Sequence, residues 1–123
     1  VLVDAAGRVL IARRPADKHA GGAWEFPGGK LQAGESPRQA LNRELFEELG
    51  VRIVSAVPLI EYNHSYPDRD ITLCVYRVLE WQNEPRGLES QPLQWLEPER
   101  LMEHGLLSAD QPIVDALLAV SRS

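Results

Sequence analysis

Residues 29–51 read GKLQAGESPRQALNRELFEELGV, and the fold turns on this stretch. Ser36 suits a helix N-cap and Pro37 the first helical position. Gln39 completes a Ser-x-x-Gln capping box. Gly50 is placed to end the helix. At 3.6 residues per turn, Leu41, Leu45 and Leu49 lie roughly 60°, 100° and 140° around the axis from Glu44, and Glu47 and Glu48 lie at about −60° and +40°. One face can therefore be buried while another carries carboxylates. Glu44, Glu47 and Glu48 are three and four residues apart, where like charges weaken a helix by a few tenths of a kcal/mol per pair. No lysine stands between Leu31 and Gly50 to offset them. The cluster asks for a positive partner from outside the chain, and a metal ion is the obvious one.

A solvated acidic face is the ordinary reading of such a charge run. The residues leading into the helix argue against it here. Gly28 and Gly29 let the backbone approach a ligand closely or offer it a carbonyl. Glu35 adds a carboxylate just ahead of the helix, and Arg43 can hold Glu35 or orient a glutamate. Hard cations such as Mg²⁺ take oxygen ligands and share them between carboxylates, water and substrate phosphates.

Outward from the helix, Val1–Val3 and Val9–Ala12 read as a hairpin around DAAGR, and Trp24 and Phe26 alternate around Glu25 as in a short strand. Residues 51–66 read as a strand interrupted by Pro58. PDRD at 67–70 is a turn, ITLCVYRVLEW at 71–81 the clearest strand, and LQWL at 93–96 a short one. A small helix is expected over EPERLMEHG at 97–105, and a second over 108–123, entered through Asp110 and Pro112. Mixed strands with few helices suggest α+β or an α/β sandwich with helices on the sheet faces.

The bulk numbers fit one domain spanning 1–123. The chain has 123 residues and a net charge of −5. That charge argues against a nucleic-acid polymer as partner, which needs a basic face. It leaves open a single nucleotide held through metal ions. One cysteine rules out an internal disulfide and fits a reducing, cytoplasmic setting. No apolar run approaches the 18 or so residues of a membrane span, and no signal peptide is visible. Cys74 reads as a small core residue. His19, His64 and His104 lack zinc-ligand spacing. Trp24, Trp81 and Trp95 read as packing residues.

Residues 29–51 also match the Nudix box G-x5-E-x7-R-E-U-x-E-E-x-G-U at each defined position: Gly29, Glu35, Arg43, Glu44, Leu45, Glu47, Glu48, Gly50 and Val51. The chain thus resembles the Nudix hydrolases. RRPADKHAGGAWEFPGGK, YPDRDITL and EPRGLESQPLQWL extend the likeness to the MutT-like, 8-oxo-dGTP-hydrolysing branch. By that comparison the chain starts several residues inside the family's first strand.

The resemblance implies an α/β/α sandwich that hydrolyses a nucleoside triphosphate to the monophosphate and pyrophosphate, with Mg²⁺ or Mn²⁺ as cofactor. It implies a role in nucleotide-pool sanitising; a monomer is expected. Carried over position by position, it makes Glu44, Glu47, Glu48 and Glu89, with the Gly28 carbonyl, the metal ligands. Arg43 supports them. Glu44 or Glu89 would activate water, and Arg14 would bind phosphate. Gly28, Gly29, Phe26, Tyr66, Asp68, Arg69 and Asp110 would line the substrate site.

Asp110 departs from the pattern, since the MutT-like enzymes carry asparagine there. Asparagine can accept from N7–H of 8-oxoguanine while donating to O6, whereas an ionised aspartate only accepts. The carboxylate would suit guanine N1–H and N2–H₂, or the N4–H₂ of cytosine. A protonated aspartate could do both, but burial would have to raise its pKa. The CTP pyrophosphohydrolase branch also carries an Ala-Asp-x-Pro stretch. Asp110 could instead simply cap the last helix.

Overall fold

The computed structural model describes residues 1–17, 21–28 and 34–121 and, within them, every side chain but those of Tyr66, Arg69 and Ile71. The elements run β1 (Val9–Arg13), β2 (Trp24–Glu25), α1 (Pro37–Leu49), β3 (Arg52–Tyr66), β4 (Arg69–Gln82), β5 (Leu93–Leu96) and α2 (Gln111–Ser121).

β1 is the hub. It pairs antiparallel with β2 on one side and β5 on the other. The opening residues join this sheet to the long β3–β4 ribbon. Val3 bridges Val9 antiparallel, while Leu2 bridges Val78 of β4 in parallel. The expected hairpin is therefore present, closed by Asp4, whose carboxylate accepts from the N–H groups of Ala6 and Arg8.

Strand alternation decides what covers each face. Val9 and Ile11 pack with Leu101, Leu106, Ile113 and Leu117 on the α2 side. Leu10 and Leu2, from the opposite parity, pack with Leu45, Leu49, Val51 and Val78 on the α1 side. Helices thus cover opposite faces of β1, which is the expected sandwich. The Leu45 and Leu49 side chains are fully buried, and each such burial contributes roughly 1.5–3 kcal/mol.

α1 forms as its sequence dictates. The Ser36 side chain accepts from Gln39 N, the Gln39 side chain accepts from Ser36 N, and Gly50 ends the helix at φ 75°. That left-handed conformation suits glycine, which has no Cβ to clash.

Three expectations need correction. Pro58 does not interrupt β3, which is continuous. Leu59 is the extra residue of a register shift between Pro58 and Ile60. A bulge accommodates the missing proline N–H without ending the strand. The helix expected at 97–105 is two 3₁₀ turns, Pro98–Arg100 and Met102–His104. Gly105, at φ 95°, stops the second turn before an α-helix can extend. Cys74 is exposed rather than in the core. It shares a strand parity with buried Val78, but lies four residues further along the ribbon, past the cover of α1.

Candidate active site

Pro27 and Gly28 follow β2 and bring the chain across the end of α1. The Gly28 N–H donates to the Glu48 carboxylate at 3.0 Å. Gly28 sits at φ 150°, a conformation side chains rarely adopt. Its N–H reaches the cluster through Glu48. Gly29 lies outside the described residues.

Glu89 arrives by a different route. The loop after β4 caps the C-terminal end of α1 and supplies donors to carbonyls that a helix end leaves open. Arg86 N donates to Leu49 O at 3.0 Å, and Leu88 N to Glu48 O at 3.1 Å. The Gln91 side-chain amide also donates to Glu48 O, at 3.1 Å. The Gln91 side-chain oxygen in turn accepts from Glu89 N at 2.8 Å. The loop therefore positions Glu89 as a by-product of finishing the helix.

The result is a cleft of about 220 Å³ lined by Arg14, Glu25, Pro27, Glu48, Glu89 and Gln91, among others. Its electrostatics are unfavourable as they stand. Burial first, then repulsion from Glu44, Glu89 and Glu25, raises the Glu48 pKa to about 7, with the Gly28 N–H pulling it down. A donor set of mutually repelling carboxylates suits a hard divalent cation, whose charge would relieve the repulsion. Glu48 and Glu89 share the cleft that such an ion would occupy.

Arg43 arranges the rest of the acidic face. Its guanidinium donates to both Glu35 oxygens, at 2.8 and 3.1 Å, and to Glu44 at 2.9 Å. It reaches the more exposed Glu47 at 3.4 Å. The positive partner that the glutamates require is thus supplied in part from within the helix. Among the described residues no three His, Cys, Asp or Glu side chains converge at metal-binding distance. Glu44 and Glu47 are turned to Arg43, and neither lines the cleft.

Glu25 was missed by the sequence reading. It accepts from Arg14 at 2.8 Å and lines the same cleft. Its signal was the alternation of β2, which puts Glu25 opposite the two aromatic neighbours, but one acidic residue in a two-residue strand carries no motif. Arg14, the expected phosphate ligand, lies in the cleft beside it.

The base end is more dispersed. Asp110 ends a 3₁₀ turn, Ser108–Asp110, just before α2. No hydrogen bond from a described residue reaches its carboxylate, so the capping role is not the one it plays. Burial first, then the Glu25 charge, raises its pKa to about 6, with His64 and Arg14 lowering it. Phe26 packs against the α2-side core. Asp68 is exposed at the tip of the ribbon. Tyr66 and Arg69 form the last pair of the β3–β4 ladder, and their side chains lie outside the described residues.

Fold and cleft together define a class, a hydrolase whose cleft gathers carboxylates from a helix, a strand and a loop of an α/β/α sandwich. The chain belongs to the NUDIX domain family, whose model matches residues 1–116. It is 50% identical over 84 residues to the 8-oxo-dGTP diphosphatase of Proteus vulgaris, covering 68% of this chain and 75% of that one. It is 35% identical over 119 residues to the CTP pyrophosphohydrolase of Escherichia coli K12, covering 97% and 88%. A solved MutT from the Aliivibrio salmonicida and Vibrio cholerae pair superimposes with a TM-score of 0.84 at 30% identity, covering 97% of this chain and 92% of that one. Among the described residues no helix is long and apolar enough to cross a membrane.

Proposed function

We propose that this protein hydrolyses a nucleoside triphosphate, 8-oxo-dGTP first among them, to the monophosphate and pyrophosphate, as a cytoplasmic, monomeric, single-domain enzyme of nucleotide-pool sanitising. The observation that carries the reading is the cleft that joins Glu48, held by the Gly28 N–H, and Glu89 to Arg14. Glu44, Glu48 and Glu89 hold the cation, with Glu47 near them. Mg²⁺, or Mn²⁺ in its place, neutralises phosphate oxygens and acidifies bound water.

The chain's own residues do the rest. Arg14 leaves Glu25 in part to meet a phosphate oxygen, for which its planar fork is well shaped. Arg43 keeps Glu44 oriented through Glu35. Glu44 or Glu89 takes the proton as water adds to phosphorus, and the pyrophosphate bond to the nucleotide breaks. Of these two, Glu89 is the less committed, because Glu44 already accepts from Arg43.

Gly28 and Gly29 bind the substrate beside the carboxylates; at the base end Phe26, Tyr66, Asp68 and Arg69 flank the nucleotide, and Asp110 reads it. A base closing over Asp110 removes more water and raises its proton affinity further. The protonated carboxyl then accepts from N7–H of 8-oxoguanine and donates to O6, as an asparagine does. The second reading is a CTP or dCTP pyrophosphohydrolase, favoured by the ionised form of Asp110 and by the coverage of the CTP-hydrolysing relative.

The test is kcat/KM with Mg²⁺ for 8-oxo-dGTP, dGTP, CTP and dCTP side by side, with pyrophosphate as the measured product. A preference for 8-oxo-dGTP over dGTP of about a hundredfold, about 2.7 kcal/mol, is expected. A preference for CTP moves the enzyme to the pyrimidine reading. Absence of pyrophosphate with all four would overturn the reaction itself. Glu44→Gln and Glu89→Gln then identify the base, since the pH–rate profile loses its acidic limb in only one of them.

A further inference from the structure

Asp110 sits on a short segment whose place in the fold is set from two sides. On one side it runs along β2: Trp24 N donates to Gly105 O at 3.1 Å and Leu107 N to Trp24 O at 3.0 Å. This ties the segment to the strand that carries Glu25. On the other side β3 passes over it. The Tyr62 hydroxyl donates to the main-chain oxygen of Ala109 at 3.3 Å. The Tyr62 ring packs against the core cluster of Ile113, Val114 and Leu117, so the hydroxyl is delivered from a supported ring. The 3₁₀ turn has no side-chain cap of its own, and its internal bond runs from Asp110 N to Leu107 O at 3.0 Å. Ala109 immediately precedes Asp110. Whatever fixes the Ala109 carbonyl fixes the plane of the peptide that leads into Asp110, and with it the point from which the carboxylate reaches out.

We propose that Tyr62 is a positioning residue for base selection: its hydroxyl, by holding the Ala109 carbonyl, sets the reach of Asp110 into the nucleotide site. Tyr62 does not touch the base. It acts through one main-chain hydrogen bond on the residue that does. The inference rests on the reading of Asp110 as the base-contacting group. A misplacement of about 1 Å in a supporting contact is enough to degrade a polar recognition site. The residue type suits the task, because a tyrosine can fill the core with its ring and still present a polar group beyond it.

The experiment pairs Tyr62→Phe with Asp110→Ala and the double variant, measuring kcat and KM for 8-oxo-dGTP and CTP with Mg²⁺. Tyr62→Phe keeps the ring and removes the hydrogen bond. It is expected to move the ratio of kcat/KM between the two substrates by about three- to tenfold, the size of one neutral hydrogen bond. The change should read in KM for the preferred base. In the Asp110→Ala background the same substitution should leave the ratio where Asp110→Ala put it. Tyr62→Leu, which also loses ring packing, should move the ratio as far as Tyr62→Phe and lower the melting temperature besides.

If Asp110→Ala shifts the ratio and Tyr62→Phe does not, Tyr62 has no positioning role and the Asp110 reading survives. If Tyr62→Phe shifts the ratio equally in the presence and absence of the Asp110 side chain, Tyr62 acts by another route and the proposal is overturned. If Asp110→Ala leaves the ratio unaltered, the Asp110 reading falls and takes this inference with it.

Discussion

The two ends of the candidate site are built on different principles. At the phosphate end, four of the acidic side chains and their arginine come from residues 35–48, along one helix and its entry. Their relative positions follow from helical spacing, and the helix is fixed by its cap and its buried leucines. At the base end the groups come from three separate elements: Phe26 after β2, Asp110 before α2, and Tyr62 on β3. Their positions depend on how the ribbon crosses the sandwich. Changes at the first end should therefore strike the chemical step, and changes at the second should alter which base is accepted.

The largest effect expected from this contrast is that of Glu48→Gln. Loss of its charge should lower kcat by on the order of a hundredfold or more, for every base alike. The fold should tolerate it, because the substitution removes a buried charge that is repelled by its neighbours. A pyrophosphate assay on two different bases, with a melting curve alongside, checks both halves. A base-dependent loss would blur the distinction between the ends.

Asp110→Asn should give the mirror image, a change of about ten- to a hundredfold in base preference, as one good base-edge contact provides. Its kcat on the better substrate should change far less. An equal loss on all bases would place Asp110 with the chemical machinery instead.

The two ends should also separate by pH in the metal-free protein. Both carboxyls have folded pKa values above their ordinary ones, about 7 against 4.5 for Glu48 and about 6 against 3.8 for Asp110. Between each pair of values the folded chain holds a proton that the unfolded chain has released. Stability therefore falls as pH rises through each window. Glu48→Gln should flatten the fall up to about pH 7, and Asp110→Asn the part that ends near pH 6. Mg²⁺ should raise the melting temperature most above pH 7, where Glu48 is ionised and the cation meets its full charge. Thermal melts from pH 4 to 8, with and without Mg²⁺, read all of this.

The smallest effect is local. Ser36→Ala removes the cap of α1 and should cost about 1 kcal/mol of stability, measured by urea unfolding. Base preference should not respond, because nothing at the base end depends on how that helix begins.

The Nudix box residues were legible because a helix converts sequence spacing directly into a surface. The capping box, the leucine stripe and the Gly50 stop all appear in the structure where the spacing puts them. Glu89 was reachable only through family resemblance. Glu25 showed only as one acidic residue in a short alternation, and Tyr62 and the loop that caps α1 not at all, since their partners lie 11 to 47 residues away. Arg43 was legible as a partner for Glu35 or a glutamate, but that it holds Glu35 and Glu44 together is side-chain geometry that spacing alone does not fix. Cys74 was read as core because alternation tells which face a residue takes, not how far along the strand that face stays covered.

By itself, then, the sequence determined the helix, its cap and its carboxylate face, the alternation that sandwiches β1 between two helices, and the family. These follow from interactions within a few residues, whose geometry the backbone fixes in advance. The tertiary structure decided which glutamates share the cleft, that burial and like charge leave Glu48 near neutrality, and where Asp110 is held. Those outcomes depend on desolvation and on contacts between distant segments, which exist only once the sheet has brought the segments together.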